Sequence, residues 1–252
     1  MDKKNTERFS NRADDYVKYR PGYPSEILQF LQEEQGLSTD KVIADIGAGT
    51  GIATAVFIRA GYRVFAVEPN QQMRDKAIEQ LDDQPAFTAV DGTASATTLD
   101  DESVDFIIAA QAFHWFEPRA TQKEFRRILR KNGLVALMWN QRLINTAFEK
   151  AYDALIARFG SNYVDQESRF NSTDLHDFYS PAVPVSQVFY NKQDFNFEAL
   201  KGRLLSSSYM PVAGETDYEE MITALEQLFN DHQVGGTVRI NYDCNLFVGK
   251  FN

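Results

Sequence analysis

The sequence contains very little cysteine, with only Cys244 among its 252 residues. One cysteine cannot form an internal disulfide, which favours a reducing compartment. The chain also lacks any run of about 18 apolar residues, the length that a membrane-spanning helix needs. Its first residues, MDKKNTERFSNR, are polar and contain no apolar region of the kind found in signal peptides. These absences together predict a cytoplasmic protein without a membrane partner.

Positive charge is also scarce, because 26 lysines and arginines stand against 36 acids and give a formal net charge of -10. An acidic surface repels phosphate backbones, so we expect no nucleic-acid partner. The basic stretch RRILRK, residues 126–131, is interpreted as the end of a helix, where cations suit the dipole. No histidine, cysteine and aspartate spacing indicates a metal site. The sequence leaves the oligomeric state open.

The first half of the chain alternates between apolar strand-like runs and helix-like runs. We expect an N-terminal arm and helix in residues 1–36, strands at 41–47, 62–69, 85–92, 103–113 and 134–140, and helices at 52–61, 70–81 and 118–133. Alternation at this spacing predicts right-handed crossovers and a parallel sheet. The length suits a single domain over residues 1–252.

In the second half of the chain, the ends of helices and strands are less clearly marked. Residues 145–178 are aromatic, charged and helical in tendency. Strands are expected at 184–197 and 237–251, and helices at 197–210 and 218–232.

A glycine-rich turn, DIGAGTG, follows the first predicted strand. Gly47, Gly49 and Gly51 occupy alternate positions, and Asp45 lies two residues before the first glycine. At the carboxyl end of a parallel strand, such a turn lets a ligand approach the backbone and frees N–H groups of the next helix. The spacing is not the G-x-G-x-x-G that supports a dinucleotide pyrophosphate. A carboxylate here suits an ammonium or sulfonium group better than a pyrophosphate.

Two further acids end the next two predicted strands. Glu68 lies 17 positions after Gly51, where an acid can accept hydrogen bonds from ribose hydroxyls. Asp91 either faces an adenine amino group or forms an Asp-Gly turn with Gly92. Acids at three consecutive strand ends favour a cationic ligand that carries adenosine.

The motifs DIGAGTG, VEPNQQM, VDGTA and AAQAFHWF resemble the successive motifs of class I S-adenosylmethionine-dependent methyltransferases. The resemblance extends over roughly residues 9–140. YVKYRPGYP and FHWF are typical of the small-molecule branch with a methyltransferase type 11 domain, which includes trans-aconitate methyltransferase. It implies an α/β, Rossmann-like fold with a seven-stranded sheet, mostly parallel with an antiparallel last strand, and helices on both faces. Residues 145–180 become a helical insertion or lid between strands five and six, over the active site.

The resemblance implies S-adenosyl-L-methionine as the cofactor and a small molecule as the methyl acceptor. Arg20, in YVKYRPGYP, can pair with the donor's carboxylate, while Tyr16 and Tyr19 either close over the cleft or pack on the sheet edge. Met73 lies against the adenosine or in the core. The complete set of implied donor-binding residues is Arg20, Asp45, Gly47, Gly49, Gly51, Glu68, Pro69, Met73, Asp91, Gly92, Thr93, Gln111, Ala112 and Trp115.

His114 is the candidate catalytic residue, as a general base for a hydroxyl, amine or carbon acceptor; a carboxylate acceptor needs no base. The alternative is that His114 and Trp115 pack under the insertion. The aromatic residues of the second half either line an acceptor pocket or form the insertion's own core; they are Phe148, Tyr152, Phe159, Tyr163, Phe170, Phe178 and Tyr179. Two other function classes remain: a non-catalytic donor-binding or scaffold protein and, less favoured by the turn, a nicotinamide oxidoreductase.

Overall fold

The computed structural model describes residues 18–161 and 172–251, and its centre is a seven-stranded sheet. The strands are β1 (Val42–Ile46), β2 (Arg63–Val67), β3 (Phe87–Val90), β4 (Val104–Ala110), β5 (Leu129–Arg142), β6 (Val185–Phe195) and β7 (Val238–Lys250). The helices are α1 (Ser25–Glu33), α2 (Ile52–Arg59), α3 (Gln71–Leu81), α4 (Pro118–Ile128), α5 (Ala147–Phe159), α6 (Ser172–Tyr179), α7 (Phe197–Leu205) and α8 (Tyr218–His232). Tyr16, Tyr163 and Phe170 lie outside the described residues.

The strands follow the order β3-β2-β1-β4-β5-β7-β6. β1 to β5 pair in parallel, whereas β7 is antiparallel to both β5 and β6. This confirms the predicted mostly parallel sheet with an antiparallel last strand. The order reverses between β1 and β4, and ligands of open parallel sheets bind beyond the carboxyl ends of the strands at such a point.

Both faces of the sheet are covered, which explains why its central strands are almost continuously apolar. On one face, a core that includes Ile43, Phe106 and Met138 packs against α1 and α2. On the other face, a core that includes Ile107 and Leu137 packs against α4 and α6. Helices therefore lie on both faces, as predicted.

A third core lies among α5, α7, α8 and the adjoining parts of β6 and β7, a unit that we call the helical lobe. Phe148 and Tyr152 are buried there, while Phe178 and Tyr179 are buried under the sheet. Phe159 packs against the lobe. Phe148 and Phe159 thus belong to the core of the lobe, as the core interpretation expects, whereas Phe178 and Tyr179 belong to the core under the sheet.

The predicted helix at 118–133 is too long, because α4 ends at Ile128. Leu129 pairs with Val104 and Leu134 with Phe106, so β5 bulges between these two pairs. Arg130 lies in this bulge, and its guanidinium contacts the Asp105 carboxylate at 2.8 Å. The interpretation of residues 126–131 as a helix end is therefore wrong beyond Ile128.

The predicted fourth strand at 103–113 is also too long. β4 ends at Ala110, since the next residue, Gln111, has a φ of 58° that a strand cannot continue. A short helical turn, Phe113–Trp115, follows. Among the described residues, no helix is both long and apolar enough to cross a bilayer.

Candidate active site

The glycine turn lies between the carboxyl ends of β1 and β4. Gly47, Gly49 and Gly51 all have positive φ, at 72°, 58° and 82°. A Cβ atom on Gly47 would lie 2.6 Å from the Cβ of Ala112, which follows β4. Only glycine permits this approach, so the turn and the segment after β4 form one tightly packed floor.

The amides of this turn donate within the protein. Gly47 and Ala48 N–H donate to the Val67 carbonyl at 2.9 and 3.1 Å, and Gly51 N–H donates to Ala48 at 3.0 Å. Gly49 N–H donates to Glu68 Oε2 at 2.9 Å. These four amides are therefore used within the protein, so polar recognition by the turn itself falls to side chains. The expectation that the turn frees N–H groups of the next helix, α2, stays a prediction.

Asp45 is the main polar group of the floor, and its side chain is fully buried. Its Oδ2 accepts a hydrogen bond from Thr54 Oγ1 at 2.6 Å. Its Oδ1 is buried and accepts no hydrogen bond from any residue that the structure describes. Burial raises the pKa of the carboxyl group to about 7. A buried oxygen without a partner carries a free-energy cost that a cationic ligand group would offset.

Glu68 connects the turn to the start of α3. Its Oε2 accepts from Gly49 N–H, and its Oε1 accepts from Asn70 N–H at 2.8 Å. Burial raises the pKa of Glu68, and these two amides partly offset the effect. Asn70 accepts from Met73 N–H at 3.0 Å, which confirms the predicted N-cap. Because each carboxylate oxygen accepts more than one hydrogen bond, Glu68 keeps capacity for ribose hydroxyls.

Met73 is buried between α3 and the turn, with its Cε 3.9 Å from the position of a Cβ on Gly49. It thus fits both sequence interpretations, core packing and contact with a ligand over the turn. Pro69 is half-buried and separates Glu68 from Asn70.

The acid after β3 is placed differently from the other two. Asp91 is exposed, and its Oδ1 lies 3.2 Å from Arg74 Nη1. Arg74 also donates to the Glu68 carbonyl at 2.6 Å, so it joins the ends of β2 and β3. Gly92 is buried against the Thr97 carbonyl, and Thr93 pairs with Ala96 in a short bridge. Both interpretations of Asp91, an Asp-Gly turn with Gly92 and a contact with adenine, are compatible with this position.

Beyond β4, Gln111 N–H donates to the Met138 carbonyl at 2.9 Å, and its Nε2 donates to the Asn140 carbonyl at 3.0 Å. His114 is exposed, with its ring 4.7 Å from the Trp115 ring. Trp115 is half-buried and lines a shallow depression with Ala94 and other residues. The side chain of His114 is therefore accessible at the margin of the floor.

Residues 18–23, which we call the arm, cross the carboxyl ends of β5 and β6. The Gly22 carbonyl accepts from Asn140 Nδ2 at 3.0 Å and from Asn191 Nδ2 at 2.8 Å. The Tyr19 ring lies directly against Gly202 of α7, which supports the packing alternative for this tyrosine. Arg20 Nη2 donates to the Ser206 carbonyl at 2.9 Å. The contact of Arg20 with a donor carboxylate stays a prediction.

Sequence reasoning missed the residues that hold the arm. Asn140 offered a signal, since it is the polar end of the buried run LVALMWN. Asn191 and Gly202 offered none, because the arm residues that they contact are more than 150 residues away. The structure thus brings Asp45, Glu68, Met73, Ala112 and the turn together, and it leaves Asp91 and His114 at the margin. In the described ranges, no group of three or more potential metal ligands is present.

Comparison with known proteins places this floor in a wider context. Residues 44–137 match the family model described as a methyltransferase domain. An uncharacterized methyltransferase of Mycobacterium bovis is 34% identical over 158 residues, which are 63% of this chain and 62% of that protein. The chain thus spans somewhat under two thirds of this relative.

Solved structures share the fold. A putative type II methyltransferase from Anaeromyxobacter dehalogenans aligns with a TM-score of 0.70 and 22% identity, over 92% of this chain and 98% of that one. An N-methyltransferase of Haemonchus contortus, solved with phosphomonomethylethanolamine and S-adenosylhomocysteine, aligns with a TM-score of 0.56 and 13% identity, over 97% of this chain and 58% of that one. At these identities, the likeness concerns the fold, and it confirms the predicted Rossmann-like architecture.

Proposed function

We propose that the protein is an S-adenosylmethionine-dependent methyltransferase that transfers the donor's methyl group to a small-molecule acceptor. The match of residues 44–137 to the methyltransferase domain supports this proposal. The observation that carries the proposal is the buried Asp45 Oδ1 beside the glycine turn, which accepts no hydrogen bond from a described residue. The donor carries an ammonium group, and such a group satisfies this oxygen and restores the charged form of Asp45.

The other residues of the floor fit the rest of the donor. Glu68 would accept hydrogen bonds from the ribose hydroxyls, since its two backbone bonds leave acceptor capacity on both oxygens. Met73, Asp91 and the Gly92–Thr93 backbone would surround the adenine. Gly47 and Ala112 keep side chains away from the floor, so that a ligand can lie directly on it. Gln111 and Trp115 would face the donor's methionine end.

S-adenosylmethionine supplies a methyl group on a sulfonium, which is already a good electrophile. The residues of this chain then need to position the acceptor in line and to exclude water, contributions that reach about 7–11 kcal/mol in the best cases. His114 would accept a proton from a hydroxyl, amine or carbon acceptor, and its exposure at the margin leaves it accessible to one. With a carboxylate acceptor, no proton has to move.

The finer expectations extend this proposal. They are the similarity to the branch that includes trans-aconitate methyltransferase, a cytoplasmic location, and closure of the insertion at residues 145–180 as a lid. The supporting feature for closure is that α5, within the insertion, packs in the helical lobe with α7, the helix that the arm contacts.

The test is calorimetry on the full chain with S-adenosylhomocysteine and with NADH, followed by transfer assays with labelled donor. We expect micromolar binding of S-adenosylhomocysteine and none of NADH. Asp45→Asn should weaken this binding at least about tenfold, which is about 1.4 kcal/mol. The control, Asp83→Asn, changes an exposed carboxylate after α3. NADH binding without S-adenosylhomocysteine binding would overturn the proposal. Donor binding with no transfer to any acceptor would instead favour the non-catalytic alternative.

A further inference from the structure

The helical lobe contains a buried arginine that has no acidic partner among the residues that the structure describes. Arg203, on α7, is only 9% exposed. Its Nε is buried and donates to no acceptor among the described residues. Its Nη1 lies 3.5 Å from Ser207 Oγ, and Tyr242 forms a side-chain hydrogen bond with the guanidinium. Within residues 18–161 and 172–251, no carboxylate forms an ion pair with it. Burying a guanidinium without an acid is costly, so its retention calls for an explanation.

Three tyrosines interact with this guanidinium. Tyr242 forms a side-chain hydrogen bond with it, and Tyr152 and Tyr209 interact with it electrostatically. Desolvation alone would lower the pKa of Arg203, but these hydroxyls keep it above its ordinary value, and the group is charged. Tyr152 is 2% exposed, and its own hydroxyl has no hydrogen-bond partner among the described residues. The Arg203 guanidinium and the Tyr152 hydroxyl are therefore two interacting buried donors. Arg203 Nε and the Tyr152 O–H have no hydrogen-bond acceptor among the described residues.

A second arginine borders the same group. Arg142, at the end of β5, lies over the Tyr152 ring, 5.2 Å from its centroid. Unlike Arg203, it forms an ion pair with a carboxylate, that of Asp153. Tyr152 thus interacts with Arg142, whose charge Asp153 neutralises, and with Arg203, which has no such carboxylate among the described residues. The cluster of Arg142, Tyr152 and Arg203 therefore carries an excess of positive charge inside an acidic protein.

The cluster is continuous with the candidate active site. Arg142 follows Asn140 by two residues on β5, and β7 pairs it with Tyr242. Asn140 holds the arm through Gly22, and the arm in turn contacts Gly202 of α7 and Ser206, the C-cap of that helix, on either side of Arg203. The excess charge therefore lies behind the arm, next to the carboxyl ends of the strands where the donor is expected.

We propose that Arg203 and Tyr152 bind an anionic group, a carboxylate or a phosphate, of the methyl acceptor. This inference rests on the proposed function and names its substrate class. The Arg203 guanidinium offers two parallel N–H donors to such a group, and the Tyr152 hydroxyl supplies a third donor. A water molecule would accept from these N–H donors but would supply no counter-charge.

The test compares the full chain with Arg203→Gln, Arg203→Lys and a control, Arg158→Gln. Arg158 lies on α5 in the same lobe and pairs with Glu220 at the surface, so the control removes the same charge from an exposed position. Malonate, inorganic phosphate and the neutral malonamide are titrated at constant ionic strength, with S-adenosylhomocysteine at saturation. Circular dichroism and melting curves verify that each variant is folded.

We expect the wild type and Arg158→Gln to bind at least one of the two anions at least tenfold more tightly than malonamide. Arg203→Gln should lose this preference, and Arg203→Lys should keep part of it, because an ammonium preserves the charge but not the planar pair of donors. Preference for malonate or for phosphate tells which anion the site takes. An Arg203→Gln variant that is folded and keeps the preference would overturn the inference.

The donor's own carboxylate is the competing occupant, and S-adenosylhomocysteine titrations separate the two. Weaker S-adenosylhomocysteine binding by Arg203→Gln, with its anion preference intact, would assign Arg203 to the donor and overturn the inference while the proposed function stands. If the wild type does not bind S-adenosylhomocysteine, the proposed function fails, and the assignment of the anion to a methyl acceptor fails with it.

Discussion

The buried carboxyl group of Asp45 destabilises the folded protein at high pH, and Asp45→Asn should remove this cost. Burial raises its pKa to about 7 from 3.8. The folded protein then binds the proton more tightly than the unfolded chain does, so stability falls as pH rises from about 4 and the loss is complete above about 7. A shift of about three units corresponds to about 4 kcal/mol, of which about 3 kcal/mol is lost between pH 5 and 8.5.

Urea denaturation at these two pH values measures the effect. The asparagine amide oxygen can still accept from Thr54 Oγ1, and its NH2 group is buried at every pH, so only ionisation makes the comparison pH-dependent. We expect Asp45→Asn to gain about 3 kcal/mol relative to wild type between pH 5 and 8.5. Asp83→Asn should follow the wild type throughout. An equal difference between Asp45→Asn and wild type at both pH values would refute the reasoning.

The same residue links stability to donor binding. A cationic ligand needs the charged form of Asp45, so wild-type affinity for S-adenosylhomocysteine should rise about tenfold per pH unit up to about pH 7 and then level off. The Asp45→Asn variant should bind more weakly and without this rise, although it is the more stable protein at pH 8.5. Calorimetry between pH 5.5 and 8.5 checks both, and a flat wild-type profile would contradict the assignment of Asp45 to the ammonium.

Three further predictions concern residues around the floor and the arm. Glu68→Ala should weaken S-adenosylhomocysteine binding by about 1.5–3 kcal/mol. It should lower the free energy of unfolding by a similar amount, because it removes charge-assisted hydrogen bonds from the Gly49 and Asn70 amides. Unchanged affinity together with wild-type melting would exclude Glu68 as the acid that binds the ribose. His114→Ala should leave melting unchanged, since the side chain is exposed, and should cut turnover about 10²–10⁴-fold for a hydroxyl or amine acceptor; lower melting with intact kinetics would exclude catalysis. Gly202→Ala should displace the Tyr19 ring and speed trypsin cleavage after Lys18. This is expected although the higher helix propensity of alanine favours α7 by about 1 kcal/mol. A higher melting temperature with unchanged cleavage would show that the arm does not depend on this contact.

Local signals were enough to predict most of the sheet. Apolar runs ended by glycine, Asn70 as an N-cap, and the late strands β6 and β7 are encoded within short segments, and they appear where expected. The end of α4 was not predictable in this way, because Arg130 suits a helix terminus by itself. Its ion pair with Asp105, 25 residues earlier, belongs instead to the bulge of β5.

The candidate site was predictable to the extent that strand ends determine it. Asp45 and Glu68 could be placed because each directly follows an apolar run and precedes a turn. The hydrogen bonds that the turn's amides donate within the protein could not be predicted, because they depend on how far β2 extends beside β1. Arg203 was missed because an arginine within LKGRLLSS resembles a solvated helix position, and its burial depends on the long-range packing of the lobe.

The double hydrogen bond to the Gly22 carbonyl has a consequence for the order in which the protein is completed. The arm is synthesised early, but Asn191 and α7 follow it by about 170 residues or more. β6 must also wait for β7, which separates it from β5 in the sheet. A ribosome-bound chain can therefore form the donor floor long before it can hold the arm. Nascent chains that end before Lys250 should already bind the donor product, S-adenosylhomocysteine. Selectivity for the acceptor should appear only in longer chains, in which the arm is held.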